Sequence, residues 1–258
     1  MARSATAAHL VAESARNLDP DRYMAALLAP RAVRGDLITL AALTGELGRI
    51  SRTVREPMLA AIRLQWWRDA LEFGAATGYP VADDAIRLIG KLGVTREVLQ
   101  ELTRTSADAD APPTVAMDEN GWRAVGASDT AAFRIAATIV GVPAAPWLDR
   151  PTALAGEAFG AARRLYAESG RNVAPGGSRL ALPARPWIEG VRSRHGEIRR
   201  YLAESPAGLL VALLPLALIE PYLRSLQEHE GGGARTTADI SPWTRAWGLW
   251  RAKLRRRI

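Results

Sequence analysis

Apolar residues recur along this chain at three- and four-residue intervals, and no segment alternates convincingly with period two. That spacing predicts helices beginning near Ser4, Pro20, Arg34, Pro57, Ala82, Thr95, Ser128, Thr152, Pro186, Pro206 and Ser241. "NLDPDRYMAALLAP" reads as a compact helix with Asp19 as its cap, Pro20 in its first turn and Pro30 as its stop. Loops are expected over Thr105–Gly121, over Glu168–Pro186 and around "HEGGGARTTADIS". Helices of similar character continue on both sides of each loop, and no repeat of fixed period is present. The reading is a single all-α domain over 1–258.

Three segments carry more than periodicity. In "EPMLAAIRLQWWRDALEF", Pro57 suits the first helical position, and Glu56 suits the positive end of the helix dipole. At 100° per residue, Ile62, Phe73, Trp66, Leu59, Ala70, Trp67, Leu71 and Leu64 share one broad arc. An arc that wide predicts a central helix, with Arg63 projecting from its apolar side. A guanidinium there needs a carboxylate, a row of carbonyls or an anionic ligand, so a structural ion pair and an anion site are both open readings. The run "AGLLVALLPLALIEPYL" falls short of the ~20 residues that span a bilayer. Pro215, Glu220 and Pro221 also interrupt it, so it is expected to be a kinked core helix. In the last segment, "SPWTRAWGLWRAKLRRRI", Trp243, Trp247, Trp250 and Leu254 recur at helical spacing among Arg245, Arg251, Lys253, Arg255, Arg256 and Arg257. Docking of the Trp stripe into the core is the expectation, with a basic helix facing anionic lipid as its rival.

Composition narrows the chemistry. The chain carries 34 lysines and arginines against 27 acids, a net charge of +7, and only Lys91 and Lys253 are lysines. A basic tail alone is a weak case for nucleic acid, and no nucleic-acid-binding motif accompanies it. The absence of cysteine excludes disulfides, thiolate metal sites and cysteine nucleophiles. His9, His195 and His229 are scattered and make no metal-ligand spacing. No G-x-S-x-G elbow, P-loop or dinucleotide fingerprint occurs, and "PGGS" at 175–178 is turn chemistry. Glu97 and Glu101 stand four apart in a helical segment, a spacing that serves either a divalent ion or a solvated face. The N-terminal stretch has no long apolar segment and carries Glu13, so no secretory signal is read there and a cytoplasmic setting is expected.

"DPDRYMAALLAPRAVRGDLITLAALTGELGRI", followed by "EPMLAAIRLQWWRDALE", closely resembles the squalene/phytoene synthase family. The resemblance continues more weakly through "AGEAFGAARRL", "SRLALP" and the Pro-centred Leu-rich segment. It implies the all-α isoprenoid synthase fold around a central cavity. In active members of the family, two aspartate-rich helices face each other across that cavity and hold Mg²⁺ against the diphosphates of prenyl substrates. Ionising an allylic diphosphate demands such positive charge, together with an apolar cavity that shelters the cation.

This chain departs from the pattern at both places. The first family motif falls on "GELGR", where Gly45 and Arg49 take aspartate positions and Glu46 alone stays acidic. Aligning "SRLALP" with the family's Arg-x-x-Leu-Pro ending puts Ala167, Gly170 and Arg171 where acids are expected. A guanidinium there repels Mg²⁺ but can itself bind diphosphate. Similar losses mark alphaproteobacterial phytoene-synthase-like proteins and the mitochondrial assembly factor of respiratory complex I, and the chain resembles that branch. Two expectations follow. One is a catalytically degenerate binding or assembly factor with a retained apolar or prenyl-binding cavity, a protein partner and peripheral attachment to an anionic membrane surface. The other is a Mg²⁺-dependent prenyltransferase, with Arg49, Arg63 and Arg171 on the diphosphate, Trp66 and Trp67 lining the prenyl site, and Glu46 as the surviving metal ligand.

Overall fold

The computed structural model describes the backbone of residues 5–53, 56–103, 118–171, 184–231 and 240–258. Its helices are α1 (Ala5–Leu18), α2 (Pro20–Leu27), α3 (Arg31–Thr53), α4 (Pro57–Phe73), α5 (Pro80–Leu92), α6 (Arg96–Thr103) and α7 (Glu119–Ile139). They are followed by α8 (Pro146–Arg171), α9 (Ala184–Glu204), α10 (Ala207–Ala212), α11 (Ile219–Gly231) and α12 (Pro242–Arg255). No strand occurs among the described residues, as the period-3.6 pattern requires. Most helix starts lie within a few residues of expectation, because Pro20, Pro57 and Pro242 sit in first turns where a missing N–H is harmless.

Two starts differ. α7 begins at Glu119 rather than Ser128, because the Asp118 carboxylate accepts the Gly121 N–H at 2.8 Å and caps a helix inside the expected loop. α8 begins at Pro146 rather than Thr152 and carries Pro151 within its second turn. So close to the N-terminus, Pro151 removes little of the helical ladder. The long apolar run is buried as expected, broken into α10, a 3-10 turn over Leu214–Leu218 that contains Pro215, and α11. No helix among the described residues is long and apolar enough to cross a membrane.

The main core gathers residues from α1, α3, α5, α7, α8 and α9, among them Leu43, Leu47, Leu88, Phe133, Leu154, Phe159 and Trp187. Its spine is the α7–α8 pair, whose backbones meet at glycines. A Cβ on Gly126 would lie 2.4 Å from the Glu157 nitrogen, and one on Gly156 would lie 2.1 Å from Thr130 Oγ1. No side chain fits in that seam.

α4 is not central. Only Leu64, Trp67 and Leu71 of its apolar arc are buried, against α3, α5 and α6, while Met58, Leu59, Ile62, Trp66 and Phe73 are exposed. The three buried positions follow a single i, i+3, i+7 stripe, so one side of the helix supplies its packing. Arg63 is correspondingly exposed and makes no ion pair among the described residues. At α12 the expected Trp docking is also overturned. Leu249 and Ala252 face the smaller core cluster, while Trp243, Trp247, Trp250 and Leu254 face out.

Candidate functional site

The segment expected to carry the first family motif, Gly45 to Arg49, lies on the middle of α3, under the junction of α1 and α2. Gly45 is buried, and a Cβ there would stand 2.6 Å from Leu18 Cβ and 3.3 Å from the Asp19 nitrogen. An aspartate at this position has no room unless α1 moves. One residue on, Glu46 is 5 % exposed and both of its oxygens are engaged. Oε1 accepts from Ser14 Oγ at 3.1 Å and from the Tyr79 hydroxyl at 2.6 Å. Oε2 accepts from Arg49 Nη2 at 2.8 Å and Nε at 3.2 Å. Burial, and then the Glu46 carboxylate, push the Tyr79 hydroxyl well above the usual phenol range, so it remains a donor. Tyr79 also meets the buried Trp67 edge-on, with ring centroids 6.1 Å apart. The structure therefore links Glu46, Arg49, Tyr79 and Trp67.

Arg63 and Trp66 stand apart from that group. Trp66 is 44 % exposed and touches Trp67 edge-on, and Arg63 joins neither Glu46 nor Arg49. On α8, Ala167 is partly buried in the C-terminal part of the helix. The side chains of Gly170 and Arg171 lie outside the described residues, as do those of Glu168 and His229 and the segment 175–178. Glu97 is exposed, and Glu101 pairs with Arg134 at 3.3 Å, the arrangement of a solvated face.

Between α2, α3, α7 and α8 lies a charged cluster that local patterning did not reveal. Asp19 caps α2 through the Arg22 N–H, as expected, but its carboxylate also holds Arg22 Nη1 at 2.9 Å, Thr44 Oγ1 at 3.0 Å and Arg163 Nη1 at 3.4 Å. The other end of the Arg22 guanidinium meets Asp129 Oδ1 at 2.5 Å. Phe133 and Phe159 stack on Arg22, with centroids 5.2 and 5.0 Å from its guanidinium carbon, and Phe159 also faces Arg163. Burial alone would raise the Asp19 pKa, but Arg163 and Arg22 outweigh it and hold the carboxyl at about 2. A second knot joins Asp21 to the Tyr222 hydroxyl at 2.5 Å and to Arg245 Nε at 3.0 Å, tying α2 to α11 and α12. Beside Arg22 and Phe133 is a cavity of about 20 Å³, bounded also by Leu37, Leu40, Ala136 and Val211. It has room for about one water molecule, against the several hundred Å³ of a typical small-molecule site.

Residues 15–120 match the family model described as squalene/phytoene synthase. The fold is similar to the crystal structure of the squalene synthase HpnC from Alicyclobacillus acidocaldarius, with a TM-score of 0.67 and 16% identity over 87% of this chain and 94% of that one. Over residues 15–120 the chain resembles the squalene/phytoene synthase family, and its fold is similar to that of the HpnC synthase. No curated protein sequence matches it significantly.

That resemblance raises the question of Mg²⁺. Such an ion needs several oxygen ligands in near-octahedral array. Glu46 is held by a guanidinium, a phenol and a hydroxyl, Gly45 has no space for a ligand, and Asp19 is enclosed by two arginines. No group of three potential metal-ligating side chains occurs among the described residues. The residues present at these positions do not fit the ion.

The cluster at Asp19 escaped the sequence because its partners stand at Asp129 and Arg163, more than a hundred positions away. The one available signal was Arg22, which falls among the buried residues of an otherwise amphipathic α2 and must be paired there.

Proposed function

We propose that this squalene/phytoene synthase-like protein is catalytically degenerate and works by binding rather than by metal-dependent condensation of prenyl diphosphates. The observation that carries the reading is the closure of the first motif position. Leu18 stands where an aspartate at 45 would project, and Glu46 is neutralised by Arg49 and saturated by Ser14 and Tyr79. Stabilising a departing diphosphate requires preorganised positive charge around a vacant oxyanion site. Here the interior guanidiniums of Arg22 and Arg163 already face carboxylates. The work left to such a fold is that of an assembly or scaffold factor with a protein partner. The resemblance of its degenerate motifs to the complex I assembly branch makes a respiratory complex the first assembly to examine.

The test is diphosphate release from farnesyl and geranylgeranyl diphosphate, with Mg²⁺ and with EDTA, at high protein concentration. No release above background is expected in either condition. Mg²⁺-dependent release that disappears in Glu46→Gln would overturn the proposal. It would install the prenyltransferase reading, in which Arg49, Arg63 and Arg171 contact the diphosphate and Trp66 and Trp67 the prenyl chain.

A further inference from the structure

We propose that the outer face of α12 docks this protein on an anionic lipid surface. The rotational setting of the helix is fixed from the inside. Leu249 and Ala252 are buried in the smaller core cluster, and Arg245 is clamped to Asp21 and to the Ile240 carbonyl. At the helical repeat, the mean direction of Trp243, Trp247, Trp250 and Leu254 then points about 160° away from those anchors. These four side chains are 85, 61, 46 and 66 % exposed, and the Trp247 and Trp250 rings stack with centroids 5.2 Å apart.

Cations border the apolar strip on both sides. Arg251 lies on one side and Lys253 on the other, each about 70–90° around the helix from its centre. Arg255 extends the Arg251 side, and all three are exposed. No acid occurs after Asp239, so nothing within this segment neutralises them. The chain end is held as well. Arg256 turns the backbone into the left-handed region at φ 51°, the Arg257 N–H closes on the Ala252 carbonyl at 3.0 Å, and Ile258 packs back onto the main core. The basic residues are therefore presented from a fixed turn. Indole rings flanked by guanidinium and ammonium groups match the boundary between acyl chains and anionic headgroups. A polar protein surface or a nucleic acid would satisfy the cations but leave the four apolar side chains in water. The proposal is independent of the fate of Glu46.

Flotation of the full chain with vesicles tests it, comparing phosphatidylcholine alone with an equal mixture of phosphatidylglycerol and phosphatidylcholine. Wild type is expected to float with the anionic vesicles and to stay behind with the neutral ones. Trp243→Ser/Trp247→Ser/Trp250→Ser should weaken partitioning at least about tenfold, in line with loss of the interfacial aromatic anchor. Arg251→Gln/Lys253→Gln/Arg255→Gln should weaken it on the order of a hundredfold at low salt. Both variants spare Leu249, Ala252 and Arg245, and unchanged circular dichroism and melting establish that they fold. Three results would overturn the proposal: no flotation with anionic vesicles, equal flotation with both kinds, or undiminished flotation of a folded Trp variant. Retention on a single-stranded RNA column without vesicle binding would overturn it in favour of nucleic acid.

Discussion

Arginine does opposite work at the centre of this molecule and at its C-terminal surface. Around Asp19, the guanidiniums of Arg22 and Arg163 are enclosed by two carboxylates, two phenyl rings and a threonine hydroxyl. On α12, Arg251 and Arg255 stand exposed beside exposed indoles, with no acid in the segment. The aromatic residues divide in the same way. Phe133 and Phe159 are covered and cover a charge, whereas Trp243 and Trp247 are left in solvent. The difference teaches that net charge is a property of where the counter-ions sit. A guanidinium matched by buried carboxylates contributes to folding, and one without them is available to a partner.

The comparison breaks most sharply at Asp19. Asp19→Ala leaves Arg22 and Arg163 facing each other across a lost carboxylate and removes the α2 cap. A loss of about 3–5 kcal/mol is expected in urea unfolding. Its pKa is depressed to about 2, so its ionic contribution is fully present above the unfolded value of 3.8 and disappears as pH falls through about 2. Asp19→Asn should accordingly flatten the lowest part of the acid limb.

His195 defines the part of that limb above it. It is buried on α9, and burial, partly offset by Glu220, holds its pKa down to about 4. Between pH 6.5 and 4 the unfolded chain takes up the proton first, so stability should decline by about 3 kcal/mol over that window as pH falls. His195→Gln should remove that slope, read from denaturant midpoints across the range.

Placing an aspartate at position 45 by Gly45→Asp forces Leu18 aside and should lower stability by about 1–3 kcal/mol. Millimolar Mg²⁺ is expected to leave its melting temperature unchanged. A rise with Mg²⁺ would mean that α1 yields and a metal site re-forms. At the smallest end, Arg63→Ala on the exposed side of α4 should change stability by less than about 0.5 kcal/mol. A larger loss would place Arg63 with the interior arginines.

The helices were legible because their starts are marked by local chemistry, as at Asp19–Pro20 and Pro57. Asp118 is not legible as a cap, because the Asn120–Gly121 pair beside it reads as a turn. That positions 45 and 49 carry glycine and arginine rather than acids is equally plain, being a matter of residue identity. Burial was not. Periodicity measures how wide an apolar arc is, and nothing in it says how much of that arc a neighbour covers. Trp66 and Trp67 are adjacent in an identical composition, yet one is 44 % and the other 4 % exposed. The same limit misplaced the α12 tryptophans, and long sequence separation concealed the Asp19 cluster.

The glycine seam between α7 and α8 has a mechanical consequence. Asp129 and Arg163 belong to two helices whose backbones touch at Gly126 and Gly156, and Gly160 lets the Asp129 carboxylate lie across the joint, with a Cβ there only 3.0 Å from Asp129 Oδ2. A larger residue at Gly126 or Gly156 would have to push the two helices apart, so the joint is set by backbone contact. The floor of the Asp19 cluster thus rests on backbone meeting backbone, whereas above it α1 rests on Gly45 through the side chain of Leu18.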